Sequence, residues 1–198
     1  IICFNSSLQA YGGDLAVGAM TILSTVMQFT LLPLNGLGQG AQPIISYNYG
    51  AGNKQRVISA FKLLLKISLT YSLTLWALIE IFPSIFVRIF TNNEELLIFA
   101  TKMIRIYVGG LGLFGAQVAC QMGFTSIGDA KASIIAAVMR KFILLIPLIY
   151  LIPLLVSNKT MGVYLAEPVA DIIAVIFTVT LFYFHFKAAL NKMEPAHS

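Results

Sequence analysis

The sequence has few charged residues, and this scarcity is the first constraint on its class. Only 11% of its 198 residues are Asp, Glu, Lys or Arg, whereas soluble proteins contain about a quarter. It has no basic run interleaved with aromatic residues, so the net charge of +5 does not indicate a nucleic-acid partner. Hydrophobic residues make up 58% of the chain, and the mean hydropathy is +0.85. This composition predicts a polytopic membrane protein.

Cysteine and histidine are also scarce, which argues against a metal or redox site. Cys3 and Cys120 lie in apolar segments without ligand neighbours, so we interpret both as small apolar side chains. His185 and His197 lie at and beyond the end of the last predicted helix, with no partner that suggests a metal or a proton relay. No phosphate loop, nucleophile elbow or dinucleotide fingerprint is present. We therefore expect no enzyme, no cofactor and no metal.

Polar turns divide the apolar sequence into helices. The pattern predicts a partial helix at 1–10, helices at about 15–49, 57–87, 96–127, 132–156 and 161–186, and a polar tail at 187–198. Residues 1–10 are too short to cross about 30 Å of hydrocarbon. Because the chain also begins inside an apolar segment, we expect it to be a fragment. The predicted fold class is an all-α membrane bundle with a truncated first helix.

Basic residues are unevenly distributed between the two sides of this bundle. One side collects Lys54, Arg56, Lys62, Lys66, Lys131, Arg140, Lys141, Lys187 and Lys192, and the other collects Arg88, Lys102, Arg105 and Lys159. Cytoplasmic loops carry the excess of Lys and Arg, so the C-terminus is predicted to be cytoplasmic. Arg140 and Lys141 are expected to reach the cytoplasmic surface by snorkelling.

Residues 32–43 form the most informative stretch of the sequence. Pro33 and Pro43 interrupt an apolar helix, and Gly36, Gly38 and Gly40 lie between them. A proline removes a backbone donor, and in a membrane the freed groups must be covered by protein or face a water-filled cavity. The stretch therefore predicts a broken or kinked helix that lines the inside of a transporter.

Uncharged amides recur in two of the predicted helices. Asn35, Gln39 and Gln42 share one helix face, and Gln117 and Gln121 form a second polar face. They are candidates for substrate contact in a cavity. The alternative is that they bond to neighbouring helices, as amides in membranes commonly do.

Two acids lie one turn apart in the last predicted helix. Asp171 is expected near mid-depth and Glu167 nearer the outer end. Ionisable groups inside a span are energetically costly and mark proton or cation sites, so both are candidates for ion coupling. The alternative is partial solvation near the outer end, with Lys159 as a neighbour.

Small residues recur at the spacing that allows two helices to approach closely. Gly112 and Ala116, and likewise Gly115 and Ala119, are four residues apart. The pattern favours helix packing over a ligand site.

The proline and glycine stretch, followed by Tyr-Asn-Tyr-Gly-Ala-Gly-Asn at 47–53, resembles the MATE (multidrug and toxic compound extrusion) transporters. Residues 126–131 and 166–171 resemble further pieces of the same family. The resemblance implies a two-lobe transporter that exports organic cations or amphipathic drugs in exchange for H⁺ or Na⁺. This chain would be the C-terminal lobe, with the N-terminal lobe and the lipid bilayer as its partners.

By the same resemblance, the protein belongs in a bacterial-type plasma membrane and works by alternating access. Some Na⁺-coupled members carry an acid on the helix that matches residues 106–127, where this chain has only Gln117 and Gln121. The coupling carboxylate could therefore lie in the other lobe. Two alternatives stay open: a flippase for lipid-linked oligosaccharides, and a truncated remnant without transport activity.

Overall fold

The computed structural model describes residues 2–193, and every regular element in that range is a helix. The helices are α1 (Ile2–Gly50), α2 (Lys54–Ile81), α3 (Pro83–Arg88), α4 (Glu94–Tyr107), α5 (Leu111–Ser126), α6 (Ala130–Val138), a π-helix (Met139–Leu145), α7 (Ile146–Leu155) and α8 (Lys159–Lys192). The prediction of an all-α membrane bundle is confirmed. The final residues, His197 among them, lie outside the described range.

Several helices are long enough to cross a membrane. Four helical segments of the described residues are long and apolar enough to do so: Ile2–Gly50, Lys54–Ile81, Ala130–Leu155 and Lys159–Lys192. Helices α4 and α5 are long and apolar enough only when taken together, and they are bent by 52° at the break between them. The bundle thus has four such spans, or five if this bent pair crosses as one.

The structure interrupts three of the helices that the sequence predicts as continuous. Only Phe82 separates the end of α2 from Pro83, which begins α3, because the residue before a proline disfavours helical geometry. Gly109 and Gly110 separate α4 from α5, at a point where two glycines weaken the helix. The predicted helix at 132–156 contains the π-helix, which no sequence pattern indicated.

The sequence predicts a broken or kinked helix between Pro33 and Pro43, and the structure shows no break there, because α1 stays helical through both prolines. The non-helical residue of α1 is Gly13, with φ 62° and ψ −158°, a conformation that disfavours side chains. Each proline frees only the carbonyl four residues before it, that of Phe29 or Gln39, and both of these residues are exposed. The helix therefore accommodates the prolines without unwinding.

Close backbone approach and polar contacts hold the helices together. A Cβ on Gly115 of α5 would lie 2.3 Å from the Ser68 carbonyl oxygen of α2, so only glycine fits there. The Ser72 hydroxyl donates to the Gly112 carbonyl at 2.9 Å, and the Tyr164 hydroxyl donates to the Ala16 carbonyl at 2.6 Å. Hydrogen bonds of this kind are typical between membrane helices.

Candidate functional site

Three charged side chains meet inside the bundle and form its most unusual polar feature. The Nε of Arg140 donates to Asp171 Oδ1 at 2.7 Å, and its Nη2 donates to Glu167 Oε1 at 3.0 Å. Glu167 and Asp171 are one turn apart on α8, so both carboxylates face the same neighbour. We call these three residues the charged triad.

The arginine of the triad was missed as a site residue by the sequence reasoning. The prediction that Arg140 snorkels to the surface is wrong, because its side chain is only 13% exposed and pairs with both acids. Its guanidinium carbon lies 4.7 Å from the centre of the Phe114 ring, a cation–π distance. The neighbouring Lys141 is exposed.

Arg140 faces the acids from the start of the π-helix. Arg140 is the second residue of Met139–Leu145. A π-helix is rare and often occurs at functional sites. An arginine in the middle of an apolar helix was the one signal in the sequence that could have pointed to the triad.

The charges of the triad do not balance. One guanidinium faces two carboxylates, so the group carries a net charge of −1 when all three are ionised. Asp171 is 1% exposed and Glu167 is 6% exposed. Within the described residues, Asp171 Oδ2 is buried and has no hydrogen-bond partner. An uncompensated charge in so little water is unfavourable.

Further buried polar groups lie on the helices that surround the triad. Gln117 is 1% exposed, and neither its amide nitrogen nor its oxygen has a partner among the described residues. The Thr178 hydroxyl, two turns beyond Asp171 on α8, is likewise buried and unpartnered. Unsatisfied groups of this kind commonly bind water.

One side of the proline and glycine stretch of α1 points away from the other described residues. Pro33, Gly36, Gln39, Gly40 and Pro43 are all exposed, and at 100° per residue they share one face. Among the described residues, no atom lies within 4 Å of where a Cβ on Gly36 or Gly40 would be. Gly38 instead faces inward against Met122. We call the exposed side the outer face of α1.

The predicted amide residues are divided between surface and interior. Asn35 and Gln42 are half-buried at the edge of the outer face, next to exposed Gln39. Gln121 is half-buried on α5, one turn from buried Gln117. The structure therefore groups Asn35, Gln39 and Gln42 and separates them from the charged triad.

A second charged pair lies at the far end of α8. His185 Nδ1 lies 2.5 Å from Asp129 Oδ2, a pairing that the sequence did not indicate. Asp129 also caps α6, accepting from the Ala132 amide at 3.1 Å. Burial raises the pKa of Asp129, but its hydrogen bonds to His185 and Ala132 and the nearby charge of Lys131 outweigh this, leaving the pKa below its ordinary value.

A family model and a curated protein both match most of this chain. The MatE family model matches residues 2–151. Multidrug export protein MepA of Staphylococcus haemolyticus (strain JCSC1435) is 23% identical over 180 residues, which are 89% of this chain and 39% of MepA.

Solved structures match the fold over nearly the whole chain. The inward-facing and outward-facing conformations of a multidrug resistance MATE family transporter of the MOP superfamily are similar to it, with TM-scores of 0.89 and 0.88 at 18% identity. The matches cover 97% and 96% of this chain but 44% and 43% of those chains. This chain spans less than half the length of each relative.

Proposed function

This chain belongs to the MatE family, and we propose from that premise that it is one lobe of an H⁺-coupled exporter of organic cations or amphipathic drugs. Members of the family are transporters, so the chain is part of a membrane transport protein. The observation that carries the coupling proposal is the charged triad, with one cation and two buried acids. The second lobe would be supplied by the N-terminal half of the same transporter.

The outer face of α1 is our candidate for the surface that faces the other lobe. Its glycines and prolines are exposed although they lie in an apolar helix, which suits a surface covered by a second lobe and a cavity between them. We propose that Asn35, Gln39 and Gln42 contact the substrate from this face. Gln121 remains a candidate contact, whereas for buried Gln117 we propose a role inside the lobe.

Transport would proceed by rocking of the two lobes around this cavity. The similarity of the chain to both an inward-facing and an outward-facing structure supports movement of the lobe as a nearly rigid unit. The excess of Lys and Arg at the end where α2 begins and α8 ends supports a cytoplasmic position for that end.

The geometry of the triad favours H⁺ over Na⁺ as the coupling ion. A hard metal cation needs several oxygen ligands, and Arg140 already occupies one oxygen of each carboxylate. The guanidinium would also repel a second cation. A proton needs a single oxygen, and the unpartnered Oδ2 of Asp171 supplies one. Among the described residues, no cluster of three His, Cys, Asp or Glu side chains suits a metal ion.

Protonation would change the triad by removing its excess charge. With a proton bound, the triad is neutral and is stable in the bundle interior. Without it, the extra negative charge favours a conformation that brings water to α8. Such a difference in proton affinity between two conformations is what coupling requires, since a ligand with equal affinity for both shifts nothing.

The proposal is tested by ethidium efflux from drug-sensitive cells that express the full-length transporter. Asp171→Asn removes the proton site, and we expect it to abolish efflux driven by a proton gradient. Glu94→Gln makes the same charge change at an exposed acid of α4 and should leave efflux unchanged. Normal efflux by Asp171→Asn at normal abundance would refute the assignment.

A further inference from the structure

A groove runs between α2 and α8 on the surface of the bundle. It consists of two adjoining cavities of about 320 and 430 Å³. Both cavities are lined by Ile58, Tyr183 and Phe186. None of the lining residues belongs to α1, so the groove is separate from the outer face and from the surface proposed for the second lobe.

The groove is polar at one end and apolar along the rest of its length. Lys54 and Lys187 line the smaller cavity, together with Asn191. The larger cavity is lined by aliphatic and aromatic side chains, with Lys62 as its only charged residue in the described part of the chain. No acidic side chain of the described residues lines either cavity. The surface therefore selects for a ligand with an anionic end and a long apolar body.

The lysines at the polar end are available to such a ligand. Within residues 2–193, none of Lys54, Lys62 and Lys187 forms a salt bridge. Lys187 Nζ lies 6.0 Å from the centre of the Tyr183 ring, which holds the ammonium beside the groove. Lys54 is the first residue of α2, so the positive end of the helix dipole adds to the potential at the same place.

Along α2, the apolar part of the groove is about as long as one leaflet of a bilayer is thick. The α2 residues that line it run from Ile58 to Leu69, and those of α8 run from Val179 to Phe186. At 1.5 Å per residue these segments are about 16 and 10 Å long. Half of the hydrocarbon thickness is about 15 Å.

From this combination we infer that the α2–α8 groove is a binding site for an anionic phospholipid. The phosphate lies against Lys54 and Lys187, and one acyl chain lies along Phe61, Leu65 and Val179. Basic pockets between membrane helices bind anionic headgroups in this way. The site requires only that the bundle is in a membrane and does not depend on the coupling ion.

Native mass spectrometry of the full-length transporter, exchanged into phosphatidylglycerol or phosphatidylcholine, tests the inference. Each lysine near an anionic headgroup contributes about fivefold to binding. We therefore expect Lys54→Gln with Lys187→Gln to lower phosphatidylglycerol affinity about thirty-fold and to leave phosphatidylcholine binding unchanged. Lys66→Gln with Lys131→Gln removes two exposed charges that do not line the groove and should have little effect.

A second variant tests the position of the acyl chain. Val179→Trp fills the groove without a change in charge and should lower phosphatidylglycerol retention at least tenfold, whereas Ile176→Trp, exposed on the same helix but outside the groove, should not. Equal retention of the two lipids by the wild type would overturn the inference. So would an equal loss of binding in the two lysine variants, or unchanged binding in Val179→Trp.

Discussion

Arg140 is in contact with two carboxylates in a part of the protein that has little access to water. Its side chain is 13% exposed, and those of Glu167 and Asp171 are 8% and 1% exposed. Removal of the arginine alone would leave two buried acids without a counter-charge. A large loss of stability follows when one partner of a buried ion pair is removed in this way.

We expect Arg140→Gln to lower the free energy of unfolding of the transporter by about 3 kcal/mol. Adding Asp171→Asn to that variant should restore part of the loss, because the double variant retains only one buried carboxylate. Thermal unfolding of the purified protein in detergent measures both effects, with Lys141→Gln as an exposed control beside the site. Equal stabilities for the single and double variants would argue against electrostatic coupling within the triad.

The Asp129–His185 pair predicts a dependence of stability on pH. The lowered pKa of Asp129 means that the folded protein favours its ionised form. The stabilisation that ionised Asp129 gives the folded protein is therefore fully present above the ordinary aspartate pKa of 3.8. It is lost as the pH falls through the lowered pKa of Asp129 in the folded state. Asp129→Asn keeps a good helix cap but has no ionisable group. The free energy of unfolding of this variant should therefore approach that of the wild type in acid, where Asp129 is protonated. A difference that stays constant with pH would contradict the prediction.

The sequence made the two acids conspicuous but not the arginine that joins them. Glu167 and Asp171 stand out because ionisable residues are rare inside an apolar span. Arg140 has the same property, yet the adjacent Lys141 and the excess of basic residues on that side favoured a surface position. It lies in a π-helix and pairs with acids about 30 residues further along the chain, and neither composition nor periodicity indicates this contact.

At the scale of elements, helix geometry determines which surface the proline and glycine motif of α1 forms. The spacing of Pro33, Gly36, Gly40 and Pro43 places them on one exposed face of a continuous helix. The sequence could identify these residues as unusual. It could not show that the helix stays intact through both prolines, because that depends on what surrounds the freed carbonyls.

The contact between α2 and α5 predicts a difference between two glycines. Gly115→Ala would place a Cβ 2.3 Å from the Ser68 carbonyl oxygen, and backbone cannot move aside as a flexible side chain can. We expect a loss of about 1–3 kcal/mol in the free energy of unfolding. Gly18→Ala would place a Cβ 3.6 Å from Leu96 Cδ1, an ordinary van der Waals contact, and should be neutral or slightly stabilising. Equal unfolding temperatures for the two variants would show that close packing at Gly115 is unimportant.

At the scale of the whole molecule, three surfaces or sites are separated within one lobe. The outer face lies on α1, the charged triad lies inside between α8 and the π-helix, and the groove lies between α2 and α8. The family and the fold class could be predicted from the sequence, because local motifs and apolar helices carry that information. The triad and the groove could not, since each depends on contacts between helices far apart in the chain.

The measurement that tests the central claim most directly is proton release on substrate binding. Ethidium is added to the purified full-length transporter in weakly buffered detergent, and a pH-sensitive dye reports the protons released. If the charged triad holds the coupling proton, the wild type and the exposed-acid control Glu94→Gln release protons, and Asp171→Asn binds ethidium without release. Equal proton release from the wild type and Asp171→Asn would contradict the account.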